Sequence, residues 1–365
     1  MCLSNNPQLF SLPLRAERQT LELPVPLVPP DESSRSPAPR IVFPSRHTPT
    51  AVFDARHGQR HWAQTGFASR EMHTNFAGVM ELLCRLGCRC APTDEQALRE
   101  PLARARLLVV PPPTGCYNVR KEAWAAQADS LFTPEEIGEI LCFVRHGGRL
   151  FLSAYRFGDS FTKTNLRELI TPLGCLLNED VVIDLHTLRV AHPLQAHFET
   201  PRTCLPLAWS LDGVATVRWR VMATFTILPG TSVWPLALSP GGSCISFNRA
   251  HRQISFASLP IAVAGVHGRG RFVFVGGPHA FETGTFGLLQ TSDNARFLQN
   301  VLRWLLDDQP ATSEPAVVPQ LPADVAPELC RIENRGTGQR TVAYIERQLR
   351  TSGVLKALNQ AKWLP

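Results

Sequence analysis

No apolar run in this 365-residue chain approaches the ~20 residues that cross a bilayer, so no membrane span is expected. No basic stretch followed by an apolar core opens the sequence, so no secretory leader is expected and the chain reads as cytoplasmic. Charge of one sign is not concentrated: 37 Lys+Arg stand against 31 Asp+Glu, and the net +6 is spread along the chain. Nucleic-acid binders gather positive charge into a patch or stripe, so nucleic acid is not an expected partner. Internal repeats are absent, which excludes solenoids and propellers. The ten cysteines are scattered and, without a secretory signal, read as reduced thiols. Cys84, Cys88 and Cys90 have no second Cys/His pair at zinc-ribbon spacing. They read as Cys84 packed inside a helix and two cysteines flanking a strand, ahead of a redox or metal site. Gly268-Arg269-Gly270 precedes a strand, whereas a dinucleotide fingerprint follows one, so no cofactor is expected.

What is present is an ordinary globular composition, 44% apolar and 19% charged. Residues 1–48 hold nine prolines and no sustained period, and read as a Pro-rich arm. The folded core is expected over 49–307. Thr50-Ala51-Val52-Phe53-Asp54 reads as the first strand, ending in an acid. Thr74-Asn75 offers an N-cap for a helix with Phe76, Val79, Met80, Leu83 and Leu86 inward and Gly87 as its stop. Cys88 to Ala91 and Arg106 to Val110 follow as strands. Thr133-Pro134-Glu135-Glu136 is a helix start with cap, proline and acids in order; Ile137, Ile140, Leu141 and Val144 form its inward stripe. Arg149 to Ser153 is apolar on both faces, which predicts a central strand. A helix over 165–172, strand material at Cys175–Asn178 and Val181–Ile183, and extra edge or top strands within 195–265 come next. Strand and helix alternate, so the expected architecture is a doubly wound, mostly parallel, flavodoxin-like α/β sheet with added edge strands.

Five prolines mark 308–327 as a linker. The tail 328–365 carries seven Arg/Lys against three Glu. Its apolar groups, Val342, Ile345 and Leu349, then Val354, Leu355, Leu358, Trp363 and Leu364, suit docking on the chain's own core, on a protein partner or on an acidic surface.

Ligands of open α/β sheets sit beyond the carboxyl ends of the strands. Gly276-Gly277-Pro278-His279-Ala280-Phe281-Glu282 follows the apolar run Arg271–Val275 and puts His279 and Glu282 at that edge. Asp54, His57, Gly58 and Gln59 follow the first strand, Asn75 starts the next helix, and Tyr155 follows the central strand. These residues form the candidate binding set for a small polar ligand. Trp62 and Phe67 stand in the same loop as a cover. His57, His61 and His73 are the only metal set worth weighing; no acid is convincingly placed with them, and no metal site is expected. Asp293 reads as the N-cap of the last helix, with Asn294 in its first turn, and His192-Pro193 as a turn.

Several segments in order carry a resemblance: Leu107–Val110, Thr133–Glu136, Phe143-Val144-Arg145-His146-Gly147-Gly148-Arg149-Leu150 and Gly268–Gly276. Asn165 with Leu166 and Leu169, Gly174, Asn178-Glu179-Asp180 and His192-Pro193-Leu194 fit the same order. Together, over roughly 49–307, they resemble the GldG/intraflagellar-transport domain of the class I glutamine-amidotransferase-like superfamily. The resemblance implies a binding or assembly module, of a kind sometimes attached to membrane transport or motility machinery. The chain departs from membrane-anchored members in having no span. Amidotransferases of the superfamily use a cysteine on a strand-to-helix elbow, with a histidine and an acid after the last strand. Here the elbow reads Ser153-Ala154-Tyr155-Arg156-Phe157-Gly158, without cysteine and without Gly-x-Ser-x-Gly. Cys142 and Cys175 are misplaced for that role. His279 and Glu282 match the histidine and acid by position. The expectation is a catalytically silent site. The alternative is an amidase- or esterase-type hydrolase that uses Ser153 or a water activated by His279.

Overall fold

The alternation of inward and outward side chains along the short apolar runs decides how the layers form. The computed structural model describes residues 48–57, 76–93, 98–113, 116–118, 123–125, 131–184, 197–241, 244–248, 253–255, 257–283 and 287–307. Residues 1–47 of the Pro-rich arm, the 308–327 linker and the basic tail fall outside these residues, as do Gly58, Gln59, His61, Trp62, Phe67, His73, Asn75 and His192.

The main elements are, in chain order, β1 (Thr50–Phe53), α1 (Ala77–Arg85), β2 (Arg89–Pro92), α2 (Arg99–Arg104), β3 (Leu107–Val110) and α3 (Pro134–Arg145). They continue with β4 (Arg149–Ser153), α4 (Gly158–Thr162), α5 (Leu166–Ile170), β5 (Val233–Leu238), β6 (Pro260–His267), β7 (Gly270–Val275) and α6 (Asn294–Leu306). The seven strands form one sheet in the order β5-β6-β7-β4-β3-β1-β2. From β2 to β7 every pairing is parallel; β6 and β5 add antiparallel at the far edge. The five parallel strands follow the flavodoxin-like order, with its switch point between β1 and β3. β4 lies at the centre, as its two-sided apolar sequence requires.

Strand side chains alternate between faces, and the two cores sort accordingly. Ala51, Phe53, Leu107, Val109, Phe151, Val273 and Val275 face α1 and α6. Val52, Leu108, Val110, Leu150, Leu152, Phe272 and Phe274 face α2, α3 and α5. Helix α3 begins with a full capping box: Thr133 Oγ1 accepts from the Glu136 amide and Glu136 Oε2 from the Thr133 amide. Ile137, Ile140 and Val144 are buried as expected, whereas Leu141 is half-buried. Of the described strands that begin within 195–265, β5 and β6 join the main sheet. Thr216–Trp219 pairs with Phe198–Pro201, and Phe225–Ile227 with Cys175–Leu177; Asp180–Asp184 pairs with Cys244–Asn248. These small sheets flank the main one.

The far end of the sheet is closed by two buried arginines. Arg149 donates to the carbonyls of Leu305, Asp307, Gly147 and Arg269, and Arg271 donates to that of Trp304. The last carbonyls of a helix have no partner within it; here side chains from β4 and β7 supply the donors for α6.

Candidate functional site

At the switch point, β1 hands its pairing on to Asp54, whose amide donates to the Val109 carbonyl at 2.8 Å. The Asp54 side chain is fully buried. Its Oδ2 lies 2.7 Å from His57 Nδ1, and its Oδ1 accepts from the Arg56 amide. The His57 ring stacks on Phe132 at 3.7 Å, and its Nε2 reaches Glu136 Oε2 at 3.4 Å. Arg56 closes the group through Glu136 Oε1 at 2.7 Å. Burial opposes charge on His57, but the hydrogen bond and charge of Asp54, with Glu136 behind, outweigh it and raise the pKa. Burial pushes Glu136 up, yet the Thr133 amide, His57 and Arg56 together hold it below its ordinary value. Both ring nitrogens of His57 are engaged with carboxylates. The cluster therefore acts as a charged brace between β1 and the start of α3.

The second group follows β7. A side chain on Gly276 would place its Cβ 1.9 Å from the Ala223 carbonyl oxygen, and one on Gly277 would come within 3.0 Å of the Val221 oxygen and 2.9 Å of the Met222 sulfur. Glycine at both positions lets the backbone of 221–223 lie directly on the turn. Val221, a β-branched residue, takes a left-handed φ of 54° there, a strained conformation. The turn presents His279, whose Nδ1 lies 2.7 Å from Glu282 Oε2. Both side chains are buried, and among the described residues Glu282 Oε1 has no hydrogen-bond partner. Tyr155 meets the His279 ring edge-on at 6.0 Å. Burial raises the Tyr155 phenol, with the Arg156 charge opposing. Arg156 Nη1 donates to the Tyr155 hydroxyl at 3.0 Å while its guanidinium lies over the Tyr155 and Phe161 rings. Half-buried Arg220 completes the group: burial lowers its pKa and the nearby Glu282 carboxylate works against that.

Ser153 ends β4, in register with Val275, and is fully buried. Its hydroxyl donates to the adjacent Ala154 carbonyl at 3.3 Å. Among the described residues no hydrogen bond joins it to His279 or Glu282. The left-handed positions of the elbow are Phe157 (φ 58°) and Gly158 (φ 54°). A nucleophile elbow uses such strain to expose its serine; here the strained residue with a side chain is a buried phenylalanine.

The candidate residues thus fall into two groups. Asp54 and His57 come together, and so do Tyr155, His279 and Glu282; Ser153 makes no described hydrogen bond to its proposed base. Sequence reasoning missed Arg56, Glu136, Arg156 and Arg220. Glu136 was legible only as a helix-start acid, and nothing local marks the three arginines. Two expectations are corrected. Asp293 occupies the N-cap position of α6, but its side chain accepts from the Ala215 and Thr216 amides at 2.7 and 3.0 Å instead of capping the helix. Cys84 is exposed on α1 rather than packed inside. Among the described residues no three His, Cys, Asp or Glu side chains converge as a metal site, and no helix is long and apolar enough to cross a membrane. An open groove of about 680 Å³ lies elsewhere, between α2 and α3, bordered by Arg99, Arg106, Glu135, Glu139 and His146.

No family model and no curated protein matches the chain. Solved structures do. The chain is similar to the mmIFT52 N-terminal domain at 17% identity and TM-score 0.53, over 71% of this chain and 98% of that domain. A cytoplasmic protein from Salmonella typhimurium (10% identity, TM-score 0.42) covers 70% of this chain and 98% of its own. A ThuA-like protein from Bacteroides uniformis (11% identity, TM-score 0.39) covers 75% and 99% respectively. The first likeness is one of fold; the other two are too distant to bear on function. Fold and site together define a mixed α/β protein of flavodoxin-like type, with two buried histidine–carboxylate pairs at the carboxyl edge of its sheet.

Proposed function

We propose that this domain is a non-catalytic binding or scaffold module of amidotransferase-like fold. Its polar sheet edge receives a small polar ligand or a peptide, and the 328–365 tail recruits a protein partner. The observation that carries this reading is Ser153, buried and turned to the Ala154 carbonyl. A serine nucleophile needs its hydroxyl within hydrogen-bond reach of the base, and among the described residues the Ser153 hydroxyl bonds the Ala154 carbonyl and not His279. The segment resemblance to GldG/intraflagellar-transport domains and the fold likeness to the mmIFT52 N-terminal domain support the same reading. A second reading rests on one specific feature: a histidine oriented by a carboxylate is the base half of a hydrolase. In that case the nucleophile is a water at His279 Nε2.

A thermal-shift screen against sugars, nucleotides, amino acids, amides and divalent metals tests the ligand. A ligand at a hundred times its Kd stabilises by about 2.7 kcal/mol, which raises Tm by roughly 5–10 °C in a domain this size. The expected result is such a shift in the native chain and its loss in His279→Ala. A panel that shifts neither protein contradicts the ligand half of the proposal. Partner recruitment is checked by comparing complexes captured with and without residues 328–365.

A further inference from the structure

From the geometry of the Cys84 and Cys90 thiols we infer that they form a redox-sensitive dithiol, which glutathione disulfide or a related low-molecular-weight disulfide closes into an intramolecular bridge. Their sulfurs lie 3.8 Å apart, in van der Waals contact. Cys84 stands exposed on the last turn of α1; Cys90 is half-buried on β2, the edge strand of the sheet. Gly87, with its left-handed φ of 84°, turns the chain back between them. The helix therefore ends over the strand that follows it, and the two thiols meet across that junction. A disulfide bond needs ~2.05 Å between sulfurs and Cβ atoms about 3.8 Å apart. The sulfur contact is already made, with one partner at the surface. Cys88 is the third thiol of the segment, but it is buried in the core facing α1. Burial pushes its thiol up to about 11, and it is Cys90, not Cys88, whose sulfur meets Cys84 at the surface.

The exposed thiol reacts first. The Cys84 thiolate attacks one sulfur of glutathione disulfide; a Cys84–glutathione bond forms and one glutathione thiolate leaves. The Cys90 thiolate then attacks the Cys84 sulfur, the protein disulfide forms and the second glutathione leaves. Two electrons pass from the protein dithiol to glutathione disulfide, and the two thiol protons end on the two glutathiones. Burial holds the Cys90 thiol well above the usual range, and the neighbouring Cys84 charge adds to this. Adduct formation at Cys84 removes that charge and so favours the second step. The bridge ties the end of α1 to the edge strand beside the start of β1, at the end of the sheet opposite the His57 and His279 groups.

Trypsin separates the three cysteines: Arg85 and Arg89 place Cys84, Cys88 and Cys90 on the peptides 71–85, 86–89 and 90–99. The full chain is treated with excess glutathione disulfide, blocked with N-ethylmaleimide under denaturing conditions, digested and mapped by mass spectrometry. The expected product is peptide 71–85 joined to 90–99, lighter by two hydrogens than the sum of the free peptides, with Cys88 alkylated. In Cys90→Ser the expected product is a stable glutathione adduct on Cys84. The inference is overturned if the native chain keeps glutathione on Cys84 while Cys90 is alkylated, if Cys84 pairs with Cys88, or if both thiols stay reduced. The native map alone decides, should the variant fail to fold.

Discussion

Replacing Asn294 with alanine tests how the site's floor is held together. The side chain is fully buried at the start of α6. Its Oδ1 accepts from the Arg218 amide at 2.8 Å, and its Nδ2 donates to the carbonyls of Arg218 at 2.8 Å and Ala280 at 3.0 Å. One amide thus acts as the missing neighbour strand for Thr216–Trp219 and also ties the turn that carries His279. Truncation leaves three backbone groups unpaired. Each costs ~1–3 kcal/mol when water cannot reach it. Arg218 is half-buried and regains some hydration, whereas Ala280 is fully buried. A total near 3 kcal/mol follows by that scale, or a fall in Tm of roughly 6–12 °C. Trp219 lies 5.8 Å from Phe281 and Phe297, and unfolding is followed by circular dichroism, because the chain's seven tryptophans all contribute to its fluorescence. Arg296→Ala, exposed on the same helix, is the control and is expected within about 0.5 kcal/mol of the native chain. Asn294→Asp keeps the acceptor but turns an oxygen toward two carbonyls, so it is expected to be at least as damaging as alanine. A loss below about 1 kcal/mol in Asn294→Ala, less than the usual cost of one unpaired buried group, refutes the reasoning.

Other positions give equally direct outcomes. Gly276→Ala drives a methyl to 1.9 Å from the Ala223 oxygen, which is pinned by the Ala223 amide's bond to the Gly276 carbonyl; denaturant unfolding is expected to show a loss of ~3 kcal/mol or more. Because the folded pKa of His57 is raised, its contribution is full below about pH 6.5 and fades as pH rises through the folded value. The stability gap between the native chain and His57→Gln therefore narrows from pH 6 to pH 9 in urea titrations, and a widening gap contradicts the brace. Arg149→Met strips the Leu305 and Asp307 carbonyls of their donor, so hydrogen exchange in the last turn of α6 is expected to accelerate while α1 stays protected.

Periodicity carried most of the architecture. The two-sided apolar run Leu150–Leu152 announced a central strand, Thr133-Pro134-Glu135-Glu136 announced a capped helix, and Gly276-Gly277 announced the turn at the carboxyl edge of the sheet. Short β segments were less legible, because pairing is decided by distant partners: Val181–Ile183 reads as a strand but joins Cys244–Asn248 outside the main sheet. Local rules also favoured the wrong role for Asp293. Its N-cap position is real, but the Ala215 and Thr216 amides, far away in sequence, take its carboxylate. The same holds for the site. Asp54 with His57, and His279 with Glu282, are each three residues apart and could be paired from sequence; Glu136 and Arg220 reach the groups from other elements and could not, and nothing local marks the Arg156 guanidinium as folding back over the adjacent Tyr155 ring.

The central claim is that the sheet edge binds without catalysing. Turnover of chromogenic ester and amide substrates by the purified chain, beside Ser153→Ala and His279→Ala, tests it most directly. The account predicts the same rate in all three proteins, equal to that of buffer. Turnover in the native chain that disappears in His279→Ala contradicts it; survival of that activity in Ser153→Ala would assign the chemistry to a histidine-activated water.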